Sequence, residues 1–150
     1  MPRVLMLTTG LLALLLVAHA SPTAAQSPRA DDETAIDKVI QKSYIDGVFR
    51  LRDPDLVRGG FAPTFVMQVY WDGKLSSRTL DAWLERMKLD RTPNPKEYRG
   101  EVKVLEITGV AAVARIDVFE DSTHKYTDYF GLYKTADGWK IVSKSFHAHG

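Results

Sequence analysis

His124–His147 reads HKYTDYFGLYKTADGWKIVSKSFH, and it predicts two long strands joined by a tight turn. Lys125–Lys134 is rich in Tyr, Phe and Thr, whose bulk suits a pleated surface. Ala136-Asp137-Gly138 makes the turn, Gly138 supplying the backbone freedom of a hairpin bend. Alternation sets His124, Tyr126, Asp128, Phe130 and Leu132 on one face of the first strand, and Phe130 and Leu132 mark that face as the buried one. Asp128 therefore points inward. In the return strand strict alternation puts Lys140 and Lys144 on one side. Trp139 and Ile141 fall on the other, followed by Ser143, Ser145 and His147. An inward acid, with an inward His close to it, is the strongest functional lead in the chain.

Working outward, Ala111–Glu120 is a strand with Ala112, Ala114, Ile116 and Val118 on its buried face and Arg115 and Asp117 facing out. Gly109 turns the chain from a strand at Arg99–Thr108, which carries Val102, Val104, Leu105 and Ile107. Asp72-Gly73 is a hairpin signal between strands at Phe65–Trp71 and Lys74–Arg78. Three helices are expected. The first starts at a cap on Asp31 or Asp32 and runs to Leu51, with Ile36, Val39, Ile40, Tyr44, Val48 and Leu51 at helical spacing. Gly47 lies inside it, either tolerated or set there for a close approach. The second starts at Asp53-Pro54, Pro being suited to a first turn, and ends at Gly59-Gly60. The third is capped by Ser77 or Thr79 and buries Leu80, Trp83, Leu84 and Met87. Helices and strands do not alternate as βαβ units, so the class is α+β with helices on one side of a curved antiparallel sheet.

Hydrophobic residues make up 45% of the 150-residue chain and charged residues 26%, a globular balance. Net charge is +1, which gives no electrostatic argument for nucleic acid. The absence of cysteine excludes disulfides, thiolate catalysis and Cys-based zinc sites. Met1–Ala25 reads as a secretory signal peptide: Arg3, an apolar core over Val4–Val17, and small residues before cleavage after Ala25 or, second, Ala20. Residues 26–30 are a polar linker and 31–150 the folded domain. The apolar run is short for a membrane span, so no stable anchor is expected, and the predicted location is periplasmic or secreted.

The ordered set Tyr44-Ile45-Asp46-Gly47, Asp53–Phe61, Asp72-Gly73-Lys74-Leu75, Leu84-Glu85-Arg86, Gly109–Ala114, Thr127-Asp128-Tyr129 and Gly138–Val142 with Lys144, Phe146 and His147 resembles the nuclear transport factor 2-like (cystatin-like) superfamily. Within it, the resemblance is to the bacterial group called putative lumazine-binding, near the SnoaL-like proteins. It implies a cone-shaped barrel, with a bent sheet around a long first helix enclosing an apolar pocket. Members include isomerases, dehydratases, polyketide cyclases and non-catalytic binders, and relatives dimerise through the open sheet face. Many carry a His just before the Pro that follows the second helix; here that position is Ala62, so no role of that His transfers.

Three residues are catalytic candidates. Asp128 could be a general base, since burial disfavours its charged form; the alternative is a structural carboxylate bonded to backbone N–H groups or to Tyr44. His147 could orient Asp128 or relay a proton, or simply end a strand. Tyr44 could present its hydroxyl to a ligand or serve as core. With Phe130, and with Trp71 and Trp83 as stacking surfaces, these residues make the expected ligand site for a small hydrophobic or aromatic molecule. His124, His147 and His149 invite a metal reading, but no HExxH-type spacing supports it. No phosphate loop or nucleophile elbow is present, and no cofactor is implied. The readings left are an exported small-molecule binder, a cofactor-free isomerase, dehydratase or cyclase, and a homodimeric interaction module.

Overall fold

A computed structural model describes residues 28–150; the predicted leader and the first two residues of the linker lie outside them. Helix α1, Pro28–Ile40, continues as π-helical turns over Gln41–Arg50. Helix α2 is Pro54–Gly60, followed by β1 (Phe61–Trp71), β2 (Lys74–Thr79) and α3 (Leu80–Met87). Four strands complete the chain: β3 (Tyr98–Thr108), β4 (Ala111–Glu120), β5 (Thr123–Thr135) and β6 (Gly138–Ala148). They form one curved, unclosed sheet in the order β2-β1-β6-β5-β4-β3. All neighbours are antiparallel except β1 and β6, which run parallel. The parallel pair joins the β1–β2 hairpin to the β3–β6 strands, and no local pattern announced it.

Local chemistry explains the boundaries. Asp53 caps α2 through its carboxylate, which accepts from Asp55 N–H at 2.9 Å. Thr79, rather than Ser77, caps α3 by accepting from Ala82 N–H, and Lys88 ends that helix in a left-handed conformation. Asp72 and Gly73 both have positive φ, 50° and 72°, as a two-residue hairpin turn requires. The first helix departs from its expected start. It is already helical at Pro28, the first described residue, so neither Asp31 nor Asp32 caps it, and the Asp32 carboxylate instead accepts from Trp139 Nε1 at 3.0 Å and Lys134 Nζ at 2.7 Å. That ties the helix to the β5–β6 hairpin.

Ile36, Ile40, Tyr44 and Val48 are buried along the first helix, joined by Ile45, which α-helical spacing does not place on the stripe. The wider π-helical turn brings Tyr44 and Ile45 inward together. Leu51, expected at the end of the stripe, is 45% exposed because it lies beyond the last helical turn. Gly47 serves close approach: a Cβ there would stand 3.0 Å from Val57 Cγ2 and 3.1 Å from Val57 N, so α2 could not pack against a larger residue without shifting.

Three bulges reset the face of a strand. Val118 pairs with Tyr126 but Phe119 with His124, so Lys125 is extra in β5 and His124 leaves the inward face expected for it. Val104 pairs with Ala114 and Glu106 with Val113, which leaves Leu105 as the extra residue, and Leu105 is 41% exposed. Likewise Leu132 pairs with Ile141 but Gly131 with Ser143, so Val142 is extra in β6. Beyond that point alternation is inverted. Lys144 is buried and Phe146 half-buried, while His147 is exposed. The expected inward placement of His147, with Lys144 outward, is thereby reversed.

Candidate functional site

Tyr44, carried by the π-helical turns, stands in the middle of an aromatic cluster. Its ring centroid lies 4.9 Å from Phe130, 5.1 Å from Phe49 and 6.3 Å from Trp83. Asp128 on β5 pairs with Phe146 of β6, and Phe130 pairs with Lys144. Asp128 and Lys144 are therefore inward-facing diagonal neighbours across the strand pair. Tyr44 Oη donates to Asp128 Oδ2 at 2.6 Å and accepts from Lys144 Nζ. Lys144 Nζ also lies 2.8 Å from Asp128 Oδ1. Oδ1 makes no directed hydrogen bond, so this contact is one of charge and distance rather than of aligned donor and acceptor. Asp128 and Tyr44 are 0% exposed and Lys144 6%.

Burying such a trio is expensive. An ion pair taken from water repays its desolvation only with excellent geometry, and an apolar pair of similar volume packs at least as well. Burial pushes the Lys144 ammonium below the usual lysine range, against the opposing charge and hydrogen bonding of Asp128. Burial and then the Asp128 charge push the Tyr44 phenol well above its ordinary value, so it remains a neutral hydroxyl at physiological pH. Aromatic rings surround the ammonium: Nζ is 4.4 Å from the Tyr44 ring centroid, 5.1 Å from Phe146 and 5.6 Å from Trp83, which favours a cation there.

Two members of the trio border a cavity of about 150 Å³ whose lining includes apolar side chains such as Val48, Phe49, Met67 and Trp83, and also Arg78 and Arg86. Tyr44 and Lys144 line it; Asp128 stands behind them. An ammonium has three N–H groups. One goes to Tyr44 Oη, and Asp128 Oδ1 stands 2.8 Å from the same nitrogen without an aligned bond. An adjoining hollow of about 520 Å³ shares Arg78, Arg86, Tyr126 and Phe146 with the inner one and reaches Trp71 and Lys74.

The structure thus brings Tyr44, Trp83, Asp128 and Phe130 together, with Phe130 packed against Tyr44 in the core rather than lining the hollow. Trp71 is 68% exposed and borders only the outer hollow. His147 lies across the sheet from Asp128 and cannot orient it; its ring meets His149 edge-on at 4.8 Å. On that outer face His124 and His149 stack at 3.9 Å, and Thr127 Oγ1 donates to Asp117 at 2.7 Å. Sequence reasoning missed Lys144, Arg78 and Arg86. One signal was available for Lys144: Ile141 and Phe146 are both apolar but an odd number of positions apart, so both can face inward only across a bulge.

A bent, unclosed sheet curled over a long first helix places the chain in the nuclear transport factor 2-like superfamily of cone folds. Within it, the chain belongs to the family described as "Putative lumazine-binding", whose model matches residues 31–147. It is 28% identical over 91 residues to aldolase FrzH of Cladobotryum sp, covering 60% of this chain and 71% of that one. The crystal structure of a nuclear transport factor 2-like protein of unknown function from Shewanella baltica OS155 superimposes with a TM-score of 0.70 at 28% identity, over 83% of this chain and 99% of the other. A second such protein, from Silicibacter pomeroyi DSS-3, gives 0.62 at 17% identity, over 82% and 100%, and speaks for the fold alone.

Proposed function

We propose that this protein binds a small, largely apolar molecule in the cone cavity, with an oxygen function of the ligand against Lys144 Nζ. The observation that carries this reading is the Lys144–Tyr44–Asp128 trio, buried yet presenting an ammonium to a hollow. Buried ionisable groups with displaced proton affinities concentrate at functional sites. In this reading Asp128 is a positioning residue, which keeps Lys144 and Tyr44 in place without touching the ligand. Lys144 polarises a carbonyl or stabilises a developing oxyanion in a low-dielectric site.

The same geometry favours turnover over simple storage. A cofactor-free isomerase, dehydratase or aldol-type reaction needs a polarised carbonyl and a base for the proton removed beside it; Lys144 supplies the first, and the Tyr44 oxygen supplies the second by handing its own proton to Asp128 as it takes the substrate's. The aldolase name of a 28%-identical relative supports the same class. Export from the cytoplasm is part of the proposal, supported by the leader-like composition of residues 1–25. Homodimerisation is a further part, supported by exposed Val113, Tyr129 and Tyr133.

Two measurements test it. Native mass spectrometry of the protein from its own host should find a retained small molecule that the Lys144→Met variant loses; retention unchanged in that variant contradicts the site. Exchange of α-protons of 2-tetralone in D₂O, followed by NMR, should be accelerated by the wild type and not by Lys144→Met or Tyr44→Phe. Exchange at the uncatalysed rate would leave a binding protein without chemistry.

A further inference from the structure

The arginines of this molecule divide sharply. Among the described residues every arginine except Arg78 and Arg86 pairs with a carboxylate, as Arg58 does with Asp81 at 2.7 Å and Arg115 with Asp117 at 3.0 Å. Neither Arg78 nor Arg86 has an ion-pair or hydrogen-bond partner there. These two come from separate elements, β2 and α3, and both line the inner cavity and the outer hollow. Lys74 joins them at the outer rim and Lys144 closes the inner floor. No acidic side chain lines either space. The chain as a whole is nearly neutral, at +1, so this concentration of positive charge is local to the cone.

Arg78 is half-buried and Arg86 exposed, both border the two spaces, and each unpaired guanidinium is a planar donor fork suited to a carboxylate. The walls between them and Lys144 are aromatic and aliphatic, with Trp83, Phe49, Met67 and Tyr126 among them. Resting on the binding reading given above, we infer that the ligand is a carboxylic acid: an aromatic or alicyclic body in the inner cavity, its carbonyl or hydroxyl on Lys144, and its carboxylate held by Arg78 and Arg86. Low-dielectric walls strengthen such a charge contact relative to water, and the partly open mouth makes it sensitive to salt.

The test uses matched probes, 4-acetylbenzoate and 4-methylacetophenone, which share the aryl ketone and differ in the carboxylate. Affinity is read from quenching of tryptophan fluorescence, and a thermal-shift screen of aryl carboxylates beside their methyl amides serves as the second measurement. The wild type should bind the carboxylate about tenfold or more tightly than its neutral partner. The Arg78→Gln/Arg86→Gln double variant should bind both alike. Lys144→Met should weaken both while keeping their ratio. The double variant should melt as the wild type does without ligand, since neither arginine holds a partner in the fold. Acids and neutral analogues bound alike by the wild type, or a preference that survives loss of both arginines, would overturn the carboxylate inference while leaving the cavity reading intact. No probe or screened compound giving a Lys144-dependent response would overturn both.

Discussion

Thr127 and Asp128 are adjacent on β5 and face opposite sides of the sheet, and the polar cluster each one joins follows a different physics. On the outer face Thr127 meets Asp117, His124 and His149 at the edge of solvent. The Asp117 carboxyl is driven upward by partial burial, but hydrogen bonds from Thr127 and Arg115 outweigh this and hold it below its ordinary range. On the inner face Asp128 meets Tyr44 and Lys144, all three buried. Both clusters combine an acid, a hydroxyl and a nitrogen base. The outer one is cheap to build and cheap to lose. The inner one spends stability on a charge pair, the expense expected where chemistry or recognition requires it.

The largest expected effect breaks that contrast from the inside. Asp128→Ala leaves the Lys144 ammonium buried without its counter-charge and should cost about 3–5 kcal/mol in urea unfolding. The double change Asp128→Leu/Lys144→Met should recover most of that loss. Tyr44→Phe removes one donor and one acceptor from the trio and should cost about 1–3 kcal/mol by the same assay.

A pH series sharpens the comparison. The folded state holds the Lys144 proton less tightly than the unfolded chain does. Stability should therefore rise with pH from the lowered Lys144 value toward the unfolded lysine range near ~10.4. The raised Tyr44 phenol works in the opposite sense. Its contribution is present below its unfolded value of about 10 and is lost as pH climbs through its folded value. An alkaline rise in stability that turns over above about pH 10, and that disappears in Lys144→Met, is the expected profile in urea melts. The smallest effect belongs to the outer cluster: His124→Ala should change stability by about 1 kcal/mol or less and leave probe binding in the cone untouched.

Much of this architecture was legible in the chain because local signals set it. The β5–β6 hairpin, the Asp72-Gly73 turn, the Asp53-Pro54 helix start and the alternation of Ala112, Ala114, Ile116 and Val118 each rest on residues close in sequence. Asp128 could be placed inward for the same reason. The rest depended on two non-local facts. The parallel pairing of β1 with β6 brings together segments far apart in the chain, and no turn specifies it. The Val142 bulge inverts one strand end, which exchanges Lys144 for His147 in the interior. A strict period of two carries no sign of one extra residue except the odd spacing of Ile141 and Phe146. Arg78 and Arg86 were hidden differently: a surface arginine looks the same in sequence whether it has a carboxylate partner or not.

The most direct test of the inward-facing lysine is a pH titration of the lysine side-chain ¹⁵N signals by NMR, alone and with 2-tetralone. One lysine, missing from the Lys144→Met spectrum, should lose its proton below the solvent-exposed lysines and shift when the ketone is added. Titration of Lys144 together with the exposed lysines, near ~10.4, and no response to the ketone would contradict it.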